Sequence, residues 1–148
     1  MYKHILVPVD GSPTADKGLT EAIAMARLAG SRLRLIHVVN EQSIVIGAEG
    51  FPDTTAEVIA LMREAGEAIL AAARQRVEDA GLPVDVLMRE VFGSRIGDSV
   101  LDEAAHWPAD LIVIGTHGRR GLRRLVLGSD AEHILRSAAV PVLLVRGD

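Results

Sequence analysis

No cysteine occurs among the 148 residues, which excludes disulfides, thiolate catalysis and cysteine-based zinc sites. No apolar run approaches the roughly 18 residues a membrane span requires. No charged-then-apolar leader precedes the first strand-like run, so cytoplasmic residence is the expectation. Among the five histidines no pair has His-x-x-x-His spacing, and zinc-protease chemistry loses its usual ligands. Gly97-Asp98-Ser99 lacks the second glycine of a nucleophile elbow, which removes the hydrolase signature. No Gly-Lys-Ser/Thr closes a glycine loop and no Gly-x-Gly-x-x-Gly occurs, so neither a P-loop nor a nicotinamide fingerprint is present. Internal repeats, low-complexity tracts and linkers are missing too, and residues 1–148 read as one domain.

What is present is ordinary for a globular chain: 49% hydrophobic and 24% charged residues, enough for a core and too apolar for disorder. The formal net charge is −4 and the pI about 5.7, which argues against a nucleic-acid binder. One segment runs the other way. Gly115 to Gly128 holds Arg119, Arg120, Arg123 and Arg124 and no acid, a local +4 that leaves −8 for the remainder. A cationic loop on an anionic body favours a small anionic ligand over a polyanion.

Strand and helix patterns alternate along the chain. Lys3 to Val9 is a short β-branched apolar run, hence a buried strand. Ser12 and Pro13 form a helix start, with Leu19, Ala22, Ile23 and Ala26 on one face and Gly30 at the end. Arg32 to Val39 is a second strand, and Asn40 to Asp53 a loop with an apolar patch, Ile44-Val45-Ile46. Thr54 with Glu57 predicts a capping box for a long helix whose stripe is Val58, Leu61, Ala65, Ala68, Ile69 and Ala72. Gly81 and Pro83 stop it. Val84 to Val91 is a more polar strand, expected near a sheet edge. Ser94 is expected to cap a helix burying Ile96, Val100, Leu101 and Ala104. Asp110 to Ile114 is the fourth strand. Ser129 with Glu132 predicts another capping box, for a helix burying Ile134, Leu135 and Ala138, and Val142 to Val145 is the fifth strand. Such alternation specifies an open, Rossmann-like α/β fold, a parallel sheet with helices on both faces. Its ligands bind at the carboxyl ends of the strands.

The strand Leu111 to Ile114 runs into Gly115-Thr116-His117-Gly118, and nine residues later Gly128-Ser129 opens a helix. Glycines permit close backbone approach, and a helix start presents N–H groups and a partial positive charge to an anion. The pattern predicts a phosphate cradle and therefore a nucleotide site. Arg119 and Arg120, beside Gly118, are placed to reach a phosphate; Arg123 and Arg124 lie deeper in the loop. Charge-assisted hydrogen bonds contribute about 1.5–3 kcal/mol each. Several of them with adenine burial would leave micromolar affinity, about −8 kcal/mol. Ser129 also reads simply as a helix cap, and the two roles are compatible. Asp10, before Gly11, reads equally as a turn residue or as an acceptor for ribose hydroxyls. Of the histidines, His4 and His37 fall within strands as packed or edge residues, His106 ends a helix and His133 lies one turn inside the last. Only His117 falls inside the glycine loop.

Over nearly its whole length the chain resembles the universal stress protein family. Ile5 to Ser12 (ILVPVDGS) is similar to the family's opening strand and turn. Asp110 to Ser129 is similar to its ATP-binding signature, Gly-x2-Gly-x9-Gly-Ser/Thr, and Val140 to Arg146 to its last strand. The resemblance implies a five-stranded sheet of order 3-2-1-4-5, a homodimer pairing through Val142–Val145, and the ATP-binding branch. It implies that Asp10 contacts ribose and that backbone at Pro8, Val9 and Val39 flanks adenine. It further implies that Gly115, Gly118, Arg119, Gly128 and Ser129 surround the phosphates, with Ser12, Thr116 and His117 in the same cradle. Asp130 departs from the family's small apolar or hydroxyl residue. Its carboxylate would repel a γ-phosphate or require Mg2+, which leaves ATP, ADP and AMP as alternatives, and Arg120 would compensate. The function implied is an adenine-nucleotide-binding stress-response or signalling module, at most a slow ATPase, because no general base is aimed at a γ-phosphate. Two other readings stand beside it: a nucleotide-free homodimer recruiting a protein partner, and an enzyme of adenylate chemistry by fold analogy alone.

Overall fold

A computed structural model describes residues 1–42, 52–116 and 127–147, with side chains of the long helix described from residue 55 onward. His117, Gly118, Arg119, Arg120, Arg123, Arg124 and the Ile44-Val45-Ile46 patch lie outside the described residues. In chain order the elements are β1 (His4–Pro8), α1 (Pro13–Ala29), β2 (Arg32–Asn40), α2 (Pro52–Asp79), β3 (Val84–Val91), α3 (Ile96–His106), β4 (Leu111–Gly115), α4 (Ser129–Ser137) and β5 (Val142–Val145). The strands form one parallel sheet of order β3-β2-β1-β4-β5.

Alternate residues of the central strands feed two cores, one on each face. Ile5, Val7, Leu33, Leu35, Leu111 and Val113 pack under α1 and α2. Leu6, Ile36, Ile112 and Ile114 pack under α3 and α4. Burial on both faces is why β1 and β4 read as unbroken apolar runs. At the amino end of the sheet, the Asp110 carboxylate accepts from the backbone N–H groups of Lys3 (2.7 Å) and His4 (3.1 Å), fixing β1 against β4.

Several local expectations are met. Ser12 caps α1, its hydroxyl accepting from Ala15 N–H at 3.2 Å, and Gly30 closes that helix at φ +65°. β3 lies at an edge. Others are corrected. α2 already begins at Pro52, so Thr54 is inside the helix and no capping box starts there. Its buried stripe is Gly66, Leu70, Ala73 and Val77, with Ile69 beside it, whereas Val58, Leu61, Ala65, Ala68 and Ala72 face outward. The reason is compositional. An alanine-rich helix offers two stripes of the same period, and the one carrying Leu70 and Val77 is chosen. Arg95, not Ser94, occupies the N-cap of α3 and supplies no side-chain bond. Gly128, not Ser129, is the N-cap of α4; Ser129 is its first helical residue, and no side chain caps it. Leu135 is exposed, and Ala131 takes its place in the core beside Ile134.

Candidate functional site

β1 leads through α1 to β2 on one side of the sheet order, while β4 leads through α4 to β5 on the other. The crevice between the carboxyl ends of β1 and β4 is therefore the topological switch point, where such sheets receive ligands. α1 and α4 leave it on opposite faces, and the amino termini of both open onto it.

The β1 side is the segment Pro8, Val9, Asp10, Gly11 and Ser12. Pro8 ends the strand and pairs with Ile36. Val9 is buried and both its backbone polar groups are engaged: its N–H donates to Ile36 C=O at 2.9 Å, and its C=O accepts from His37 Nδ1 at 2.8 Å. Asp10 Oδ1 accepts the Ser12 N–H at 2.9 Å, and Gly11 takes φ +79°. Its turn-forming role is thus realised, with the carboxylate at the mouth of the crevice. β2 runs beyond its last pair with β1 as far as Asn40, so Val39 overhangs the end of β1.

The β4 side is Gly115, Thr116, Gly128, Ser129 and Asp130. Thr116 N–H donates to Val145 C=O at 2.9 Å, and Thr116 C=O accepts from Gly128 N–H at 2.6 Å. That second bond ties the N-cap of α4 to the end of β4. The first intrahelical bond runs from Glu132 N–H to Gly128 C=O, so the earlier amides of the turn have no partner within the helix. Asp130 and Glu132 in this turn complement the helix dipole.

Gly115 joins the two sides by close packing. A Cβ there would lie 2.7 Å from the Thr14 methyl and 2.9 Å from Thr14 backbone C and O. Its missing side chain admits the first turn of α1 against the end of β4.

Away from the crevice, charged side chains pair with one another. Arg63 on α2 forms a two-pronged pair with Glu90 on β3, its Nη2 lying 2.8 Å from Oε2. These bonds hold the Glu90 carboxyl below, and the Arg63 guanidinium above, their ordinary ranges. Among the described residues no group of three metal-ligating side chains occurs, and no helix is long and apolar enough to cross a membrane.

Sequence reasoning missed two residues. His37 was expected only to pack, yet it is tied to the turn carrying Asp10. Glu103, buried on α3 between Arg34 and Arg89, stands three positions from Val100 on the stripe that was read. Its place was legible there, its partners were not.

The model of the universal stress protein family matches residues 1–146. The chain belongs to the universal stress protein family. Within that family it is 33% identical over 147 residues to universal stress protein MJ0531 of Methanocaldococcus jannaschii, covering 99% of this chain and 83% of that one. The solved structure of MJ0577, from the same organism, superposes with a TM-score of 0.87 at 26% identity, covering 100% of this chain and 98% of that one. A universal stress protein from Archaeoglobus fulgidus, solved in complex with dAMP, superposes with a TM-score of 0.70 at 26% identity, covering 97% and 98% of the two chains. The Rossmann-like sheet order is that of the family.

Proposed function

We propose that this universal stress protein is an adenine-nucleotide-binding module, with residues 1–148 acting as one unit and the crevice between β1 and β4 as its site. The observation that carries the reading is the Thr116–Gly128 bond of 2.6 Å. By joining the N-cap of α4 to the end of β4, the neighbour of β1, it supports a crevice shared by phosphate donors on α4 and a ribose acceptor at Asp10. The dAMP complex of the Archaeoglobus relative supports the same ligand class.

In this reading the amides of Ser129 and Asp130 receive a phosphate, with Gly118, Arg119 and Arg120 of the glycine loop adding donors and His117 and Thr116 at its entrance. Asp10 accepts from ribose. Adenine lies over Pro8 and Val9 and beside Val39, where β2 overhangs the end of β1; the Val9 polar groups are already bonded to Ile36 and His37. A magnesium ion would enter with the phosphates, where Asp130 in the first turn of α4 supplies a carboxylate. ATP turnover, if any, is slow, since no general base is assigned. The protein works in the cytoplasm as a homodimer joined through β5.

Isothermal titration of nucleotide-stripped protein with ATP, ADP and AMP, each with and without Mg2+, tests this. Micromolar binding, about −8 kcal/mol, is expected for at least one of them. Absence of heat and of a melting shift at millimolar concentrations of all three rejects it.

A further inference from the structure

We propose that His37 is a positioning residue for the crevice: its imidazole, clamped between α2 and β1, holds the Val9–Ser12 turn in place. A carbonyl oxygen can only accept, so the 2.8 Å contact between His37 Nδ1 and Val9 C=O requires a proton on Nδ1. The ring is buried, and the preceding peptide is fixed by the Val9 N–H bond to Ile36 C=O. Both backbone polar groups of Val9 are thus held by β2, one residue before the carboxylate that builds the turn.

The clamp has a second jaw. Gly66 lies directly over the imidazole, and a Cβ at that position would fall 2.7 Å from Cδ2 and 3.0 Å from Nε2 of His37. The glycine is costly in mid-helix, where alanine is favoured by about 1 kcal/mol on propensity alone. Here it allows α2 to rest on the ring and press it toward Val9. α2 therefore bears on the crevice through one side chain, although none of the described α2 residues belongs to the proposed nucleotide site. The link to nucleotide affinity rests on the nucleotide reading above; the hold on the turn does not.

The test compares full-length His37→Phe, His37→Asn, Gly66→Ala, the Gly66→Ala/His37→Asn double variant, and Leu70→Ala as a core control. The readouts are amide exchange at Gly11 and Ser12 without ligand, and AMP affinity. Asparagine keeps a donor near the Nδ1 position while vacating the space under residue 66. His37→Phe and Gly66→Ala are expected to speed Ser12 exchange and weaken AMP binding, each about tenfold, a buried acceptor having lost its donor. His37→Asn should preserve both properties, alone and in the double variant. Leu70→Ala should lower the melting temperature and leave both unchanged. Unaltered turn exchange in His37→Phe and Gly66→Ala, or an equal change in Leu70→Ala, overturns the proposal. Should the wild type bind no AMP, the nucleotide reading fails and turn exchange alone decides the role of His37.

Discussion

Glu103 is the residue on which the α3 face of the sheet turns. Its carboxylate is 4% exposed and receives Arg34 Nη1 at 2.5 Å and Arg89 Nη2 at 2.7 Å. Arg34 also lies 4.7 Å over the Trp107 ring, which meets His4 edge-on at 5.0 Å. Removing the carboxylate takes the close partner from both cations and leaves Arg34 the longer pair with Asp85 at 3.5 Å, a change that costs more than the net worth of the pairs. Glu103→Ala is expected to lower stability by about 3 kcal/mol, the low end for a buried pair because both arginines keep some solvent. Adding Arg34→Leu should recover part of that loss, and urea denaturation of the single and double variants checks it. In sequence, a glutamate on an apolar stripe announces only that something must pair with it. The partners are 69 and 14 residues away, and that distance is closed by strand order rather than by any local pattern.

At the scale of elements, strands and helix faces were the readable part. The β-branched runs became β1, β2 and β4, and Ser12-Pro13 opened α1 as its chemistry demands. Three other helix starts read from a serine or threonine cap were less readable. Thr54, Ser94 and Ser129 all have the right side chain and none is a cap, because the chain enters each helix one or more residues away. Gly115 shows a similar ambiguity. A glycine after a strand marks a close approach, and the approaching group proves to be Thr14 of α1. Gly115→Val should therefore act through packing: its side chain meets backbone atoms that cannot move aside, costing about 1–3 kcal/mol. Gly128 provides the contrast. Its φ of −60° suits proline, so Gly128→Pro removes chiefly the N–H that binds Thr116. Thermal melts paired with AMP titration should show Gly115→Val losing stability and Gly128→Pro losing mainly affinity.

For the molecule as a whole, alternation of strand and helix dictated the parallel sheet, and the sheet order dictated where a ligand can enter. β5 is a four-residue edge strand with all residues half-buried, a short apolar edge that a second copy would cover. Light scattering is expected to give twice the 15.8 kDa of the chain; a single-chain mass at all concentrations would remove the dimer. The crevice where α1 and α4 begin, at the carboxyl ends of β1 and β4, is the proposed binding site. Amide chemical-shift mapping with AMP tests it most directly. The largest changes should fall at Val9 to Ser12, Val39, Thr116 and Gly128 to Ala131. Saturable changes confined to another surface, such as the apolar outer side of α2, would contradict it.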